Sequence, residues 1–420
     1  MSVQVVSRPP EIPSKWDIIP IHGSDIASYK RCRRYWDWTS PTRNNLRRRV
    51  EIYGINFPLW FGTGIHYALE MYYDPILQRD PVESFKTWWE FQVNGGIVGE
   101  EWLDRVYDIH PQATPASRHV VNGDPTYDQP TWSVRGLKEL LPMPVDDEFE
   151  NHYDLGVGMM EFYREWAPKN DDFVTVAAES TYSIPLGFDS IDQREDSPNY
   201  GKTLEVHARG KRDAVIYFPD QDKFGINDHK SAIRIDDAYF AKLEKDEQCS
   251  NYLWATIQEA ALYDLPWRDH MVDRVLYTAL RKNFPKPPSI TQHGWPSLNR
   301  QEEGTTAELF QELIVNNEKY GAWFKTNEKA QNYYTWLCEM GDSAFIQRDL
   351  VTRNQHEIQN TGLHLMMIAR EMLNEPAIYP NPTGEFRCIQ CAFRAPCIAA
   401  DDGSDWIGML ADGYEQNRDR

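Results

Sequence analysis

No stretch of the chain approaches the 18 or so uninterrupted apolar residues of a membrane span. The opening MSVQVVSRPPEIPSK carries no apolar core of a secretory signal, so the expectation is a soluble, cytoplasmic protein with no membrane partner. Cationic charge is scarce: 44 basic against 64 acidic side chains give a formal charge of -20. Indiscriminate adhesion to nucleic acid or anionic lipid is thereby disfavoured, while a localised basic groove stays open. Cysteine is scarce too, with Cys32, Cys249, Cys338, Cys388, Cys391 and Cys397 as the whole set. In a cytoplasmic chain, thiols that crowd together are better read as ligands of a metal or cluster than as disulfides. A phosphate-binding loop is missing as well: Gly201-Lys202-Thr203 would need a glycine where Asp196 stands, which excludes a nucleotide-driven motor. No internal repeat is evident.

What is present suits a folded protein of 420 residues, long enough for two or three domains or for one core with large insertions. Hydrophobic residues at 41%, charged residues at 26% and aromatics at 13% exclude disordered and fibrous classes. Residues 1–20 are proline-rich and read as a flexible arm. Residues 21–94 read as a helical part, with Ser24 capping a helix through Tyr35 and a second helix from Phe61 to Leu77. Residues 95–150 are irregular and read as an insertion. The core is expected over 151–281: a helix at 152–166, a strand at 174–180, a strong strand pair, an amphipathic helix at 238–264 and a strand at 272–280. Residues 282–374 read as a surface loop followed by a helical insertion, and 375–420 form a cysteine-rich end. This alternation predicts an α/β fold with a mixed sheet.

Two segments carry chemistry. In KRCRRYWDWTSPTRNNLRRR, residues 30–49, eight basic side chains face the single acid Asp37, with Tyr35, Trp36 and Trp38 interleaved. Cations for phosphates beside rings for bases suit a DNA path, and a solvated basic helix with core tryptophans is the competing reading. In the strand pair LEVHARGKRDAVIYF and KFGINDHK, a turn around Asp220-Gln221 pairs residues whose numbers sum to 441. Asp213 then stands opposite Asp228, Val215 opposite Ile226 and Tyr217 opposite Phe224, with Lys230 pointing the same way as Asp228. Opposed carboxylates repel unless a cation or proton offsets the charge, and an all-oxygen pair suits magnesium or manganese. Such an ion with an adjacent lysine is equipped for phosphodiester hydrolysis.

Asp213 followed by Asp228-His229-Lys230 resembles the signature of the PD-(D/E)xK nucleases. More narrowly it resembles the RecB-type branch, whose helical histidine corresponds to His66 in FGTGIHYALE and whose glutamine and tyrosine correspond to Gln248 and Tyr252 in EQCSNYLWA. The resemblance implies a restriction-endonuclease-like mixed central sheet flanked by helices. It implies a metal held by His66, Asp213, Asp228 and the carbonyl of His229, and catalysis assisted by Lys230, with Gln248 and Tyr252 positioning Lys230 or the DNA strand. Aspartate at 228 is shorter than the glutamate commoner in relatives. Glu179 is a weaker candidate, since nothing in its spacing ties it to the metal.

Cys388, Cys391 and Cys397, in FRCIQCAFRAPC, with Cys32 far upstream, resemble the split cysteine set of the iron-sulfur members of that branch, the AddB-like nucleases and the Cas-four exonucleases. This implies a 4Fe-4S cluster that joins both chain ends in a cluster-binding subdomain, with zinc as the rival. Cys249 and Cys338 read as core. The expected function is that of a metal-dependent DNA exonuclease acting on single-stranded ends, in a stand-alone, enlarged relative that resides in host cytoplasm if phage-encoded. The alternative is a catalytically inactive DNA-binding subunit with protein partners in recombination or CRISPR adaptation.

Overall fold

The computed structural model describes residues 12–49, 57–93, 147–194, 196–300, 304–374 and 378–417. Strand β1 (Ile19–His22) leads through α1 (Gly23–Arg31) and α2 (Arg33–Thr39) to β2 (Leu46–Arg48), followed by α3 (Phe57–Tyr73), α4 (Pro81–Val93) and α5 (Asp147–Asn170). Then come β3 (Val174–Ile191), β4 (Thr203–Phe218), β5 (Lys223–Ala232), α6 (Asp237–Ala241), α7 (Glu247–Tyr263) and β6 (Met271–Arg281). Helices α8 (Ala307–Val315), α9 (Glu318–Thr326) and α10 (Glu328–Met340) precede β7 (Ile346–Thr352) and α11 (Gln355–Asn374). The chain closes with α12 (Glu385–Ile389), α13 (Arg394–Asp402), α14 (Trp406–Gly413) and β8 (Tyr414–Gln416).

Strand β4 is the spine of a six-stranded mixed sheet. One of its edges pairs antiparallel with β3. The other is shared: Val206 to Arg209 run parallel to β1, and Ala214 to Phe218 run antiparallel to β5. Beyond β5 lie β6, parallel to it, and β7, antiparallel to β6. The β4–β5 ladder has the predicted register, pairing Val215 with Ile226 and Tyr217 with Phe224. Strand alternation sends these four side chains into a core roofed by α1, α7 and α11. The opposite layer is aromatic, with Trp60, Phe61, Phe85, Trp88, Trp89 and Tyr163 from α3, α4 and α5 buried together. Helices on both faces of a mixed sheet give the restriction-endonuclease-like architecture expected.

Several boundaries differ from expectation, each for a local reason. The helix at Ser24–Tyr35 is two helices: Cys32 is extended at the joint, and the cap at the start is His22, whose N–H donates to Asp25 at 2.9 Å. Helix α3 stops at Tyr73 rather than Leu77, because Asp74 precedes Pro75 and its carboxylate takes the N–H groups of Ile76 and Leu77, both at 2.8 Å. The helix at 238–264 is interrupted before Asp246, whose side chain caps α7 by accepting from Gln248 N at 2.7 Å. The arm over 1–20 contributes buried Ile18 and Ile19 and the start of β1. The helical insertion over 282–374 contains β7, a half-exposed edge strand too polar to stand out, and α11, which belongs to the core. There Gly362 lies against Trp254 of α7 so closely that a Cβ would sit 2.1 Å from the indole nitrogen. Cys249 is buried, as read, but Cys338 is exposed on α10. Most of the insertion at 95–150 lies outside the described residues.

Candidate metal centre

Between Arg209, the last residue of β4 paired with β1, and Ala214, the first paired with β5, the edge of β4 changes partner. Asp213 stands in that gap. Its Oδ2 accepts the His229 backbone N–H at 2.7 Å, bridging the two strands where their ladder ends. Helix α3 brings His66 Nδ1 to 3.5 Å from the same oxygen. From β3 comes Glu179, level with Asp213 because Ala178 pairs with Ala214 and Ser180 with Arg212. His66, Glu179 and Asp213 offer ligand atoms that all lie within 4.8 Å of one another. Glu179 has φ +44°, a left-handed conformation that costs a non-glycine residue about 1–3 kcal/mol and is typically retained where a side chain must be re-aimed. Local spacing could not reveal Glu179, since its place beside Asp213 depends on the β3–β4 register across a long connection.

Asp228, on β5, is 2% exposed and lies outside that trio. Its Oδ1 accepts from Lys230 Nζ at 2.8 Å, and its buried Oδ2 has no hydrogen-bond partner. An orphaned buried carboxylate oxygen costs about 1–3 kcal/mol, a penalty that a bound cation would remove. Gln248 donates to the Tyr252 hydroxyl at 2.6 Å on α7. Burial raises the Tyr252 phenol well above its ordinary range, and the charges of Asp228 and Asp213 raise it further.

The imidazole of His229 turns its Nδ1 toward Asp213, 3.7 Å from Oδ2. It stacks on Tyr73 with centroids 5.2 Å apart and contacts Asn227 Nδ2 at 3.1 Å. Thr278 donates to Asn227 at 3.0 Å, and Arg348 donates to Thr278 at 3.0 Å. This buried polar layer fixes the β5 backbone and the ring, so His229 faces Asp213 with both its main-chain N–H and its imidazole.

Charge in the centre is unevenly distributed. Burial would raise the Asp213 carboxyl, but His66, the His229 side chain and Lys230 together hold it well below the carboxylate range. Burial raises Glu179 to about 8 despite its ion pair with Lys211, and raises Asp228 to about 7 despite Lys230. Burial lowers His66 to about 4, leaving a neutral ring with a lone pair free for a metal. Lys230 is raised: burial opposes its charge, but Asp228 and Asp213 outweigh that and keep it an ammonium. A neutral imidazole, carboxylates and an unsatisfied buried oxygen form a donor set that fits magnesium or manganese. Because such an ion binds the ionised acids, it must displace protons held below pH 7 to 8. Manganese affinity is therefore expected to rise with pH through that window, by up to roughly tenfold per unit for each proton displaced. Isothermal titration in two buffers of different ionisation enthalpy measures this release, and a flat pH profile would contradict the protonation pattern.

The cations of the basic segment at 30–49, read as a DNA path or as a solvated face over core tryptophans, are engaged within the chain. Arg33 reaches Glu371 at 2.9 Å, Arg34 reaches Asp401 at 2.7 Å, Arg43 reaches Asp37 at 2.7 Å and Arg47 reaches Glu415 at 2.8 Å. Trp36 and Trp38 are buried. These cations clasp other parts of the chain, chiefly its C-terminal part, because carboxylates and carbonyls of the fold satisfy guanidinium groups as phosphates would. The two ends do meet: β2 pairs with β8, and Thr383 N donates to Arg31 O at 3.0 Å. Cys32, Cys388, Cys391 and Cys397 are free thiols, and Arg34 Nη1 lies 3.3 Å from Cys397 Sγ. Among the described residues, no helix is long and apolar enough to cross a membrane.

The family model described as the PD-(D/E)XK nuclease superfamily matches residues 23–398. No curated protein matches the sequence significantly.

Proposed function

The chain belongs to the PD-(D/E)XK nuclease superfamily, and from that premise we propose that it is a divalent-metal-dependent deoxyribonuclease acting as an exonuclease on single-stranded DNA ends. The observation that carries this reading is the meeting of His66, Glu179 and Asp213 in the gap of the β4 edge, beside the Asp228–Lys230 ion pair. His66, Glu179, Asp213 and Asp228 would hold magnesium or manganese, with the His229 carbonyl as a further ligand. When bound, the ion supplies Lewis acidity toward a phosphoryl oxygen and a more acidic bound water. Lys230 remains an ammonium and donates to negative charge that develops on the phosphate during attack. Tyr252, hydrogen-bonded by Gln248, orients Lys230 or the strand at the edge of the centre.

An oligonucleotide labelled at either end, offered single-stranded and as a duplex with manganese, tests the proposal. Short products released progressively from one end of the single strand are expected. Intact substrate with metal-loaded protein would instead favour a non-catalytic DNA-binding subunit.

We further propose that Cys32, Cys388, Cys391 and Cys397 hold a 4Fe-4S cluster whose role is structural. The junction of the chain ends around Cys32 and the N–H···S contact from Arg34 to Cys397 support it. Iron and sulfide analysis with a visible spectrum, on protein purified without oxygen, distinguishes the cluster from zinc, which would bring neither sulfide nor colour.

A further inference from the structure

The cations of residues 30–49 are spent on the fold, so a strand approaching the metal centre needs another surface. We propose that Leu59 and Ile233 form an apolar jaw that takes unstacked bases of a single nucleic-acid strand, while Arg234, Arg281 and Lys282 neutralise its phosphates. The proposal rests on the nuclease reading above and adds the surface that selects the form of the strand.

Both apolar side chains are strongly exposed, Leu59 at 71% and Ile233 at 75%, although each adjoins the catalytic elements. Leu59 lies seven residues before His66 on α3, two turns or roughly 10 Å along the same helix face. Ile233 lies three residues past Lys230, again roughly 10 Å in extended chain. The two elements run side by side: a Cβ on Gly62 would sit 3.4 Å from Ser231 Oγ. Lys282 straps them together, its N–H donating to Ala232 O at 2.8 Å and its Nζ to Pro58 O at 2.9 Å. Leu59 and Ile233 thus follow directly on Pro58 and Ala232, the two residues that the Lys282 strap joins.

Charge supports a nucleic-acid occupant. Arg234 is 82% exposed in its side chain, so that its pair at 2.7 Å with the half-buried α6 cap Asp236 leaves most of the guanidinium open to a phosphate. Arg281 is close enough to Arg234 that the two cations repel. In a chain of formal charge -20, such a cationic rim is a local reversal. A single strand presents unstacked base faces to leucine and isoleucine directly, whereas a duplex must be unstacked and kinked, at a cost of about a few kcal/mol per step, before such side chains can enter. A single strand is therefore the occupant that fits.

The test uses the full chain and a fluorescent single-stranded oligonucleotide in calcium buffer, followed by anisotropy. The double variant Leu59→Ala, Ile233→Ala is expected to bind about tenfold more weakly, with unchanged thermal stability and unchanged manganese binding. Arg234→Ala should reduce the salt dependence of log affinity by a slope of about one. Parental affinity in the double variant overturns the jaw and leaves the nuclease reading standing. A parent that neither binds nor cuts the oligonucleotide removes both.

Discussion

Asparagine at position 213 is expected to slow cleavage by at least about 10³-fold, roughly 4 kcal/mol of transition-state stabilisation, while the protein stays folded. The substitution is nearly isosteric, and its amide oxygen can still accept the His229 N–H that bridges β4 and β5. What disappears is a full negative charge within 4.8 Å of His66 and Glu179 ligand atoms, at the one acid of the centre that is ionised throughout the physiological range. Single-turnover cleavage of a labelled oligonucleotide, with manganese titration and a melting curve on the same preparation, separates lost chemistry from lost fold. Parental cleavage by the asparagine variant would remove Asp213 from the catalytic centre.

The largest structural loss is expected at Glu259→Ala, one layer beneath the site. Arg212 and Glu259 are each 1% exposed and form a direct ion pair. Arg212 also donates to Ser180 at 2.9 Å and to Thr256 at 2.7 Å. Since Arg212 precedes Asp213 and Ser180 follows Glu179, this network pins α7 to both acid-bearing strands. Without Glu259 the guanidinium is buried without a counter-charge, at a cost of about 3–5 kcal/mol. A clear fall in the urea midpoint is the expected readout. The paired replacement Arg212→Met, Glu259→Leu should recover most of the loss, because it removes the charge together with its partner. Equal instability in the single and double variants would mean that packing, rather than charge, dominates there.

Much of the centre could be read from the chain before any coordinates. The β4–β5 register followed from turn chemistry and alternation over a few residues, and it delivered Asp213, Asp228 and Lys230 to one end of the hairpin. Spacing on single helices likewise placed Gln248 near Tyr252. Long-range pairing was another matter. Glu179 became a partner of Asp213 only through the β3–β4 register, and Asp228 turned out to be a buried neighbour of the trio with one oxygen left unsatisfied. The arginines at 31–49 looked like a phosphate track until their carboxylates were found, many of them more than 300 residues away in sequence.

The sequence by itself determined the elements whose information is local: the apolar alternation of β4 and β5, the capped helix α7, and the acids, lysine and cysteines available for chemistry. Only the tertiary structure decided which edge of β4 would open, which carboxylate would enter the gap, and which cations would be consumed in joining the chain ends. Hydrogen bonds within a hairpin or helix depend on neighbours a few residues apart. Electrostatic neutralisation acts through space, and its outcome depends on which charges folding brings within a few ångströms.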